Sequence, residues 1–207
     1  MALAVVVPLA VLGAAPVLSE PDGGPPRAAA PSRPATASPA PCAREGGHGF
    51  PVAVRIRGAP DTYRSGAPLR EWAIDLENRT SAECRHLHPV IVLTDAGRSL
   101  RPEQVRLAFH DGTRWRRATM TGTDQDEAIG VFGGSEPAGP ARPAPSAFPG
   151  FTLPPGGTRT VRVRLALAAG TDPADVVAVA VLVRRHGVDG DWVGESGAYH
   201  FSVVRGA

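Results

Sequence analysis

The chain has 207 residues, 43% of them apolar, with 22 prolines and 24 glycines, which is enough for one domain of ordinary size with appendages. A net charge of +2 at pH 7 is too small to make nucleic acid the main ligand. Every basic side chain is an arginine. Coding in a GC-rich genome accounts for that bias; arginine chosen for bidentate anion contacts is the alternative, and it requires a clustering that the sequence does not display.

The first 18 residues, "MALAVVVPLAVLGAAPVL", are uncharged and almost wholly apolar. We read residues 1–19 as a signal peptide cut after Ser19, with an uncleaved N-terminal anchor as the alternative. Residues 20–41, rich in proline, alanine and serine, bury too little apolar surface to fold and read as an extended linker. Cys42 and Cys84 are the only cysteines. In an exported chain they suit a disulfide, and the alternative is two unrelated thiols.

From about Phe50 the apolar residues recur with period two. "FPVAVRIR", "LREWAIDLEN", "VRLAFHD", "RTVRVRLALA" and "AYHFSVV" alternate as half-buried strands do. "HPVIVLTD" and "VVAVAVLVRR" are apolar on both faces and suit central strands. Trp72 alternates with Ile74 and Leu76 and belongs to the core. "LVRRHGVDGDWV" reads as a strand, a glycine-rich turn and a return strand, with Gly190 available for positive φ. A second proline-rich stretch, 133–147, interrupts the domain as a low-complexity loop. These elements predict an all-β chain: an antiparallel sandwich over 42–207 of about seven to nine strands.

"FTLPPGGTRTVRVRLAL" and "WAIDLENRTSAEC…PVIVLTD" resemble the turn-and-strand runs of immunoglobulin-like modules in bacterial secreted proteins. The region from Gly49 to Val204 is similar to actinobacterial secreted proteins of uncharacterised function with that fold. The resemblance implies architecture and compartment and carries no site residues over.

Several constellations of polar residues are candidates for chemistry. "DGDWVGE" fails the calcium-loop register, because Val193 and His200 fall where oxygen ligands are needed. Cys84, His86 and His88 would share a face of an extended strand and form a copper or zinc set, but the remaining ligand spacing is missing. Ser135 and Ser196 lack the nucleophile elbow, and Asp124, Asp126 and Glu127 read as a solvated acidic loop. Asn78-Arg79-Thr80 matches a glycosylation acceptor, a pattern that carries no meaning in a bacterial chain. Arg114, Arg116 and Arg117 could attract an anionic wall polymer or lipid head groups, or form an ordinary solvated strand face.

The sequence therefore predicts a non-catalytic secreted or cell-surface interaction module, with no catalytic residue, cofactor or metal assigned. Trp115 and Trp192, beside turns and charges, are the candidate ligand-binding residues. The alternatives are a carbohydrate or cell-wall binding module using those two rings, and an exported metal-binding protein. Expected partners are a cell-wall polymer, a glycan or another surface protein. Nucleic acid is not expected, and membrane only through an uncleaved N-terminal segment.

Overall fold

The computed structural model describes residues 42, 49–133, 147–186 and 189–206. The expected signal peptide and linker lie outside them, as does nearly all of the 133–147 loop. Thirteen strands are present among the described residues: β1 (Val52–Arg57), β2 (Thr62–Arg64), β3 (Arg70–Asn78), β4 (Cys84–Asp95), β5 (Val105–His110), β6 (Trp115–Arg117), β7 (Thr119–Gly122), β8 (Ala128–Val131), β9 (Phe151–Leu153), β10 (Thr158–Leu167), β11 (Ala174–His186), β12 (Asp189–Glu195) and β13 (Tyr199–Val204). Eight have six or more residues: β1, β3, β5, β10 and β13, which period-two alternation marks, β4 and β11, which the sequence shows as apolar on both faces, and β12, the return strand of the expected hairpin. The other five have three or four residues, too few to show a period.

The strands form two sheets with the core between them, the immunoglobulin-like sandwich expected from the pattern. One sheet has the order β1-β3-β10-β5-β6. The other runs β2-β13-β11-β4-β8-β7, with β12 added beside β11 and β9 beside β4. All pairs are antiparallel except β13 with β2. The two long strands β4 and β11 pair with each other over nine registered residues, Val176↔Asp95 to Arg184↔Leu87. Each is then flanked by two shorter strands placed end to end.

The interior is built from alternate residues of both sheets. Val52, Ile74, Leu76, Val161, Val163 and Leu165 come from the first sheet, and Ile91, Leu93, Val176, Ala178, Ala180 and Leu182 from the second. Trp72 is buried, as its spacing predicted. Phe109 stacks on Phe132 and meets Phe148 and Phe151 edge-on, so aromatic packing fills one end of the core. Cys42 and Cys84 form a disulfide across 42 residues. That pins the start of the described chain to the first residue of β4.

Asn78, at the end of β3, is 1% exposed. Its amide donates to the carbonyls of Ala82, Leu153 and Pro154 while its Oδ1 accepts from Thr80 N and Oγ1. The acceptor pattern read at Asn78 is thus a corner that fastens the β3–β4 turn to β9.

Candidate functional site

The second sheet presents an unusual outward face. Ala178, Ala180 and Leu182 of β11 and Ile91 and Leu93 of β4 point into the core, so the residues between them point out. Those residues are Val177, Val179, Val181 and Val183 on β11, and Val90 and Val92 on β4. On β8, a side chain at Gly130 would meet Leu107 Cδ2 at 2.3 Å and Met120 Sδ at 3.1 Å. Gly130 therefore faces the core, and Ile129 and Val131 face out.

Register turns these into a grid. One row across β11, β4, β8 and β7 reads Val181, Val90, Val131, Thr119; the next reads Val179, Val92, Ile129, Thr121. The six aliphatic side chains of these rows are partly exposed, none belongs to the interior cluster, and the first charge met is the exposed Glu195 of β12, opposite Val181 at the end of the first row. A face laid out in this way offers area and shape rather than polar groups.

Trp192 extends the face at one corner. It stands opposite Val183 in the β11–β12 pairing, is 56% exposed, and stacks on Phe50 at 6.0 Å with the rings 19° apart. Its indole N–H donates to the Gly194 carbonyl at 2.9 Å, which holds the ring along the strand. The hairpin expected here is present, but Gly190 has ordinary strand geometry and is absent from the positive-φ residues. Its smallness serves packing instead: a side chain there would lie 2.7 Å from Val183 Cγ1. Gly194 likewise lets β12 approach β1, since a side chain would sit 2.7 Å from the Val52 carbonyl oxygen.

Trp115 lies on the other sheet, at the edge strand β6, so the two candidate tryptophans do not share a surface. Its ring is covered: Arg164 sits 3.8 Å and Arg162 5.1 Å from the centroid, with His110 edge-on at 5.4 Å. Both arginines also bind Glu71, at 2.6 and 3.0 Å. Those hydrogen bonds, Arg162 foremost, hold the Glu71 carboxyl below its ordinary range.

The remaining polar residues serve local structure. A bulge between Cys84 and Leu87 puts His86 at φ 56° and breaks the shared face on which a Cys84–His86–His88 metal set depended. His86 is exposed against the Pro149 carbonyl, whereas His88 is buried and its ring meets the Phe132 carbonyl at 2.9 Å. Burial lowers the pKa of His88. No cluster of three metal-binding side chains occurs among the described residues. Asp111, its side chain 6% exposed, accepts from the Thr113 and Arg114 N–H groups, the Thr113 hydroxyl and Arg116. Of the three arginines grouped in the sequence, Arg116 turns inward to Asp111 and over Phe148, Arg114 approaches Asp111 at 4.0 Å, and Arg117 is exposed.

No protein-family model matches the chain, and no curated protein matches it by sequence. Solved structures do. The protein AvmM, which catalyzes macrocyclization in alchivemycin A biosynthesis, superposes with a TM-score of 0.53 at 17% identity, covering 77% of this chain and 92% of its own. That likeness establishes the fold. The Pseudomonas fluorescens alkylpurine DNA glycosylase AlkC matches at TM-score 0.40 and 13% identity over 75% of this chain and 31% of its own. The collagen-binding domain of a Staphylococcus aureus adhesin matches at TM-score 0.26 and 8% identity, over 75% and 98%.

The sequence pointed to the tryptophans and missed the valine grid. Its signal was there, in two strands apolar on both faces, but such a run reads as a strand covered on both sides.

Proposed function

We propose that this domain is a non-catalytic interaction module that binds a protein partner through the outer face of its eight-stranded sheet. The observation that carries this reading is the two-row aliphatic grid of Val181, Val90, Val131 and Val179, Val92, Ile129, partly exposed and bordered by a single carboxylate, Glu195, beside Val181. The partner is a protein with a flat aliphatic surface of its own. Thr119 and Thr121 border the grid and supply hydroxyls for its rim, and Trp192 with Phe50 supplies an aromatic anchor at the corner. A non-catalytic role is supported by the buried titratable groups: Asp95, Asp111 and His88 are each engaged in local hydrogen bonds rather than converging on a cleft. The Cys42–Cys84 disulfide supports an oxidising, extracellular setting.

A photo-cross-linking amino acid placed at residue 179 of the full chain tests the reading, with residue 160 on the opposite sheet as control. A discrete protein adduct from 179 and none from 160 supports it, and no site-specific adduct contradicts it.

A second reading, carbohydrate binding, rests on the exposure of Trp192. A glycan array probed with the wild type and Trp192→Ala tests it, and signals that survive the substitution overturn it.

A further inference from the structure

The two faces of the sandwich carry opposite chemistry. On the outer face of the five-stranded sheet, β1 contributes Arg55 and Arg57, β10 contributes Arg162 and Arg164, β5 contributes Arg106 and β6 contributes Arg117. Against these six cations stand three carboxylates, Glu71, Asp75 and Glu77, all on β3. The face therefore carries a surplus of three positive charges, where the whole chain carries only +2.

Local pairing sharpens the asymmetry. Asp75 is taken by Arg57, Glu71 by Arg162 and Arg164, and Glu77 by Arg79. Arg55, Arg106 and Arg117 are exposed and have no carboxylate within ion-pair distance among the described residues. Arg117 and Arg164 stand on either side of Ala108 in register, and Arg106 lies two residues along the same strand. With strands about 4.8 Å apart and about 6.8 Å between alternate residues, the three arginines spring from backbone around Ala108 on one face, Arg164 held by Glu71 and Trp115 and Arg106 and Arg117 exposed. Arg55 stands on the opposite edge strand, about 19 Å from β6 by the same strand spacing, too far for one small anion to bridge.

We infer that this face binds a linear polyanion carrying phosphate or carboxylate groups at intervals. Arginine forks take such oxyanions two hydrogen bonds at a time. A lipid surface fits less well: Trp115, the aromatic ring on this face, is capped by Arg164 and cannot enter a bilayer. The domain would then hold a protein on one sheet and a charged polymer on the other, which makes it a bridge between the two. This inference stands on residues separate from the valine grid, so either can fail alone.

The test is binding of the full chain to inorganic polyphosphate, with poly-glutamate, orthophosphate and phosphatidylglycerol vesicles as parallel arms. Polyphosphate or poly-glutamate is expected to bind with an affinity that falls as salt rises. The triple variant Arg55→Gln, Arg106→Gln, Arg117→Gln is expected to lose at least tenfold in affinity and to flatten the salt dependence. A charge-matched control, Arg64→Gln, Arg98→Gln, Arg205→Gln, should bind as the wild type does. Equal loss in both triple variants overturns the inference, as does binding to vesicles alone or to orthophosphate as tightly as to the polymers.

Discussion

Arg164 sits over the indole of Trp115, its guanidinium carbon 3.8 Å from the ring centroid, while Trp192 on the other sheet is 56% exposed. The contrast has an optical consequence. Of the three tryptophans, Trp72 is buried and Trp115 is half-buried under two arginines, so Trp192 should supply most of the emission that acrylamide can quench. Trp192→Phe is expected to remove that fraction and Trp72→Phe to leave it. Stern–Volmer plots of the two variants give the answer.

Gly194 governs how closely β12 lies against β1. A methyl group there would meet the Val52 carbonyl oxygen at 2.7 Å and Val54 Cγ2 at 2.8 Å, and backbone cannot swing aside as a side-chain tip can. Gly194→Ala is expected to cost about 1–3 kcal/mol as an overpacking substitution. Because Phe50 immediately precedes Pro51 and β1, the same change should part Phe50 from Trp192 and raise quenching. Urea unfolding and fluorescence on one preparation report both effects.

Asp111 ties the β5–β6 turn together. Burial alone would raise its pKa, but hydrogen bonds from the Arg114 N–H, Arg116 and Thr113 outweigh it and hold the carboxyl well below the usual range. A folded-state pKa below the unfolded value contributes stability at neutral pH, and that stability is lost as pH falls below about 4, where the unfolded carboxylate starts to protonate. Asp111→Asn is expected to lose about 1–3 kcal/mol at pH 7, since it leaves donors without their charged acceptor. The difference from wild type should shrink in acid. Asp95, also held low by Ser99 and Leu100 against the effect of its burial, keeps some acid sensitivity in the variant. Unfolding curves from pH 7 to pH 2 check the sign.

The Cys42–Cys84 bridge closes a loop with a sequence separation of 42. Chain-entropy reasoning assigns such a loop about 4 kcal/mol. Cys42→Ser with Cys84→Ser is therefore expected to lower the urea midpoint substantially, and reductant should shift the wild type by the same amount. A reductant-insensitive midpoint would contradict the role given to the bridge.

How much of this could be read from the chain alone differs by element. Long strands announced themselves because alternation over six or more residues, as in Val161, Val163 and Leu165, has few competing explanations. Short edge strands such as β2 and β9 have no period and become strands only because neighbours offer them hydrogen bonds. Trp72 was placed correctly by its spacing. Trp115 and Trp192 looked alike in sequence, both beside turns and charges, and only the strand pairing separates a ring under two arginines from one in solvent. The valine grid was half legible. "VVAVAVLVRR" and "HPVIVLTD" show apolar residues on both faces, but whether a second layer covers the outer one is a property of the fold and not of either strand. The arginine face was hidden for the same reason: Arg106, Arg117 and Arg164 are far apart in sequence and meet around Ala108 only through register.

The central claim is that the outer face of the eight-stranded sheet is a protein-binding surface. Its most direct test is the affinity of the partner captured from residue 179, purified and measured against the wild type and the double variant Val92→Thr with Val179→Thr. Threonine keeps the branched shape and strand preference of valine, so the variant should fold with nearly unchanged stability. At least a tenfold loss of affinity is expected, with an unchanged unfolding midpoint. Equal affinity for the two proteins would contradict it.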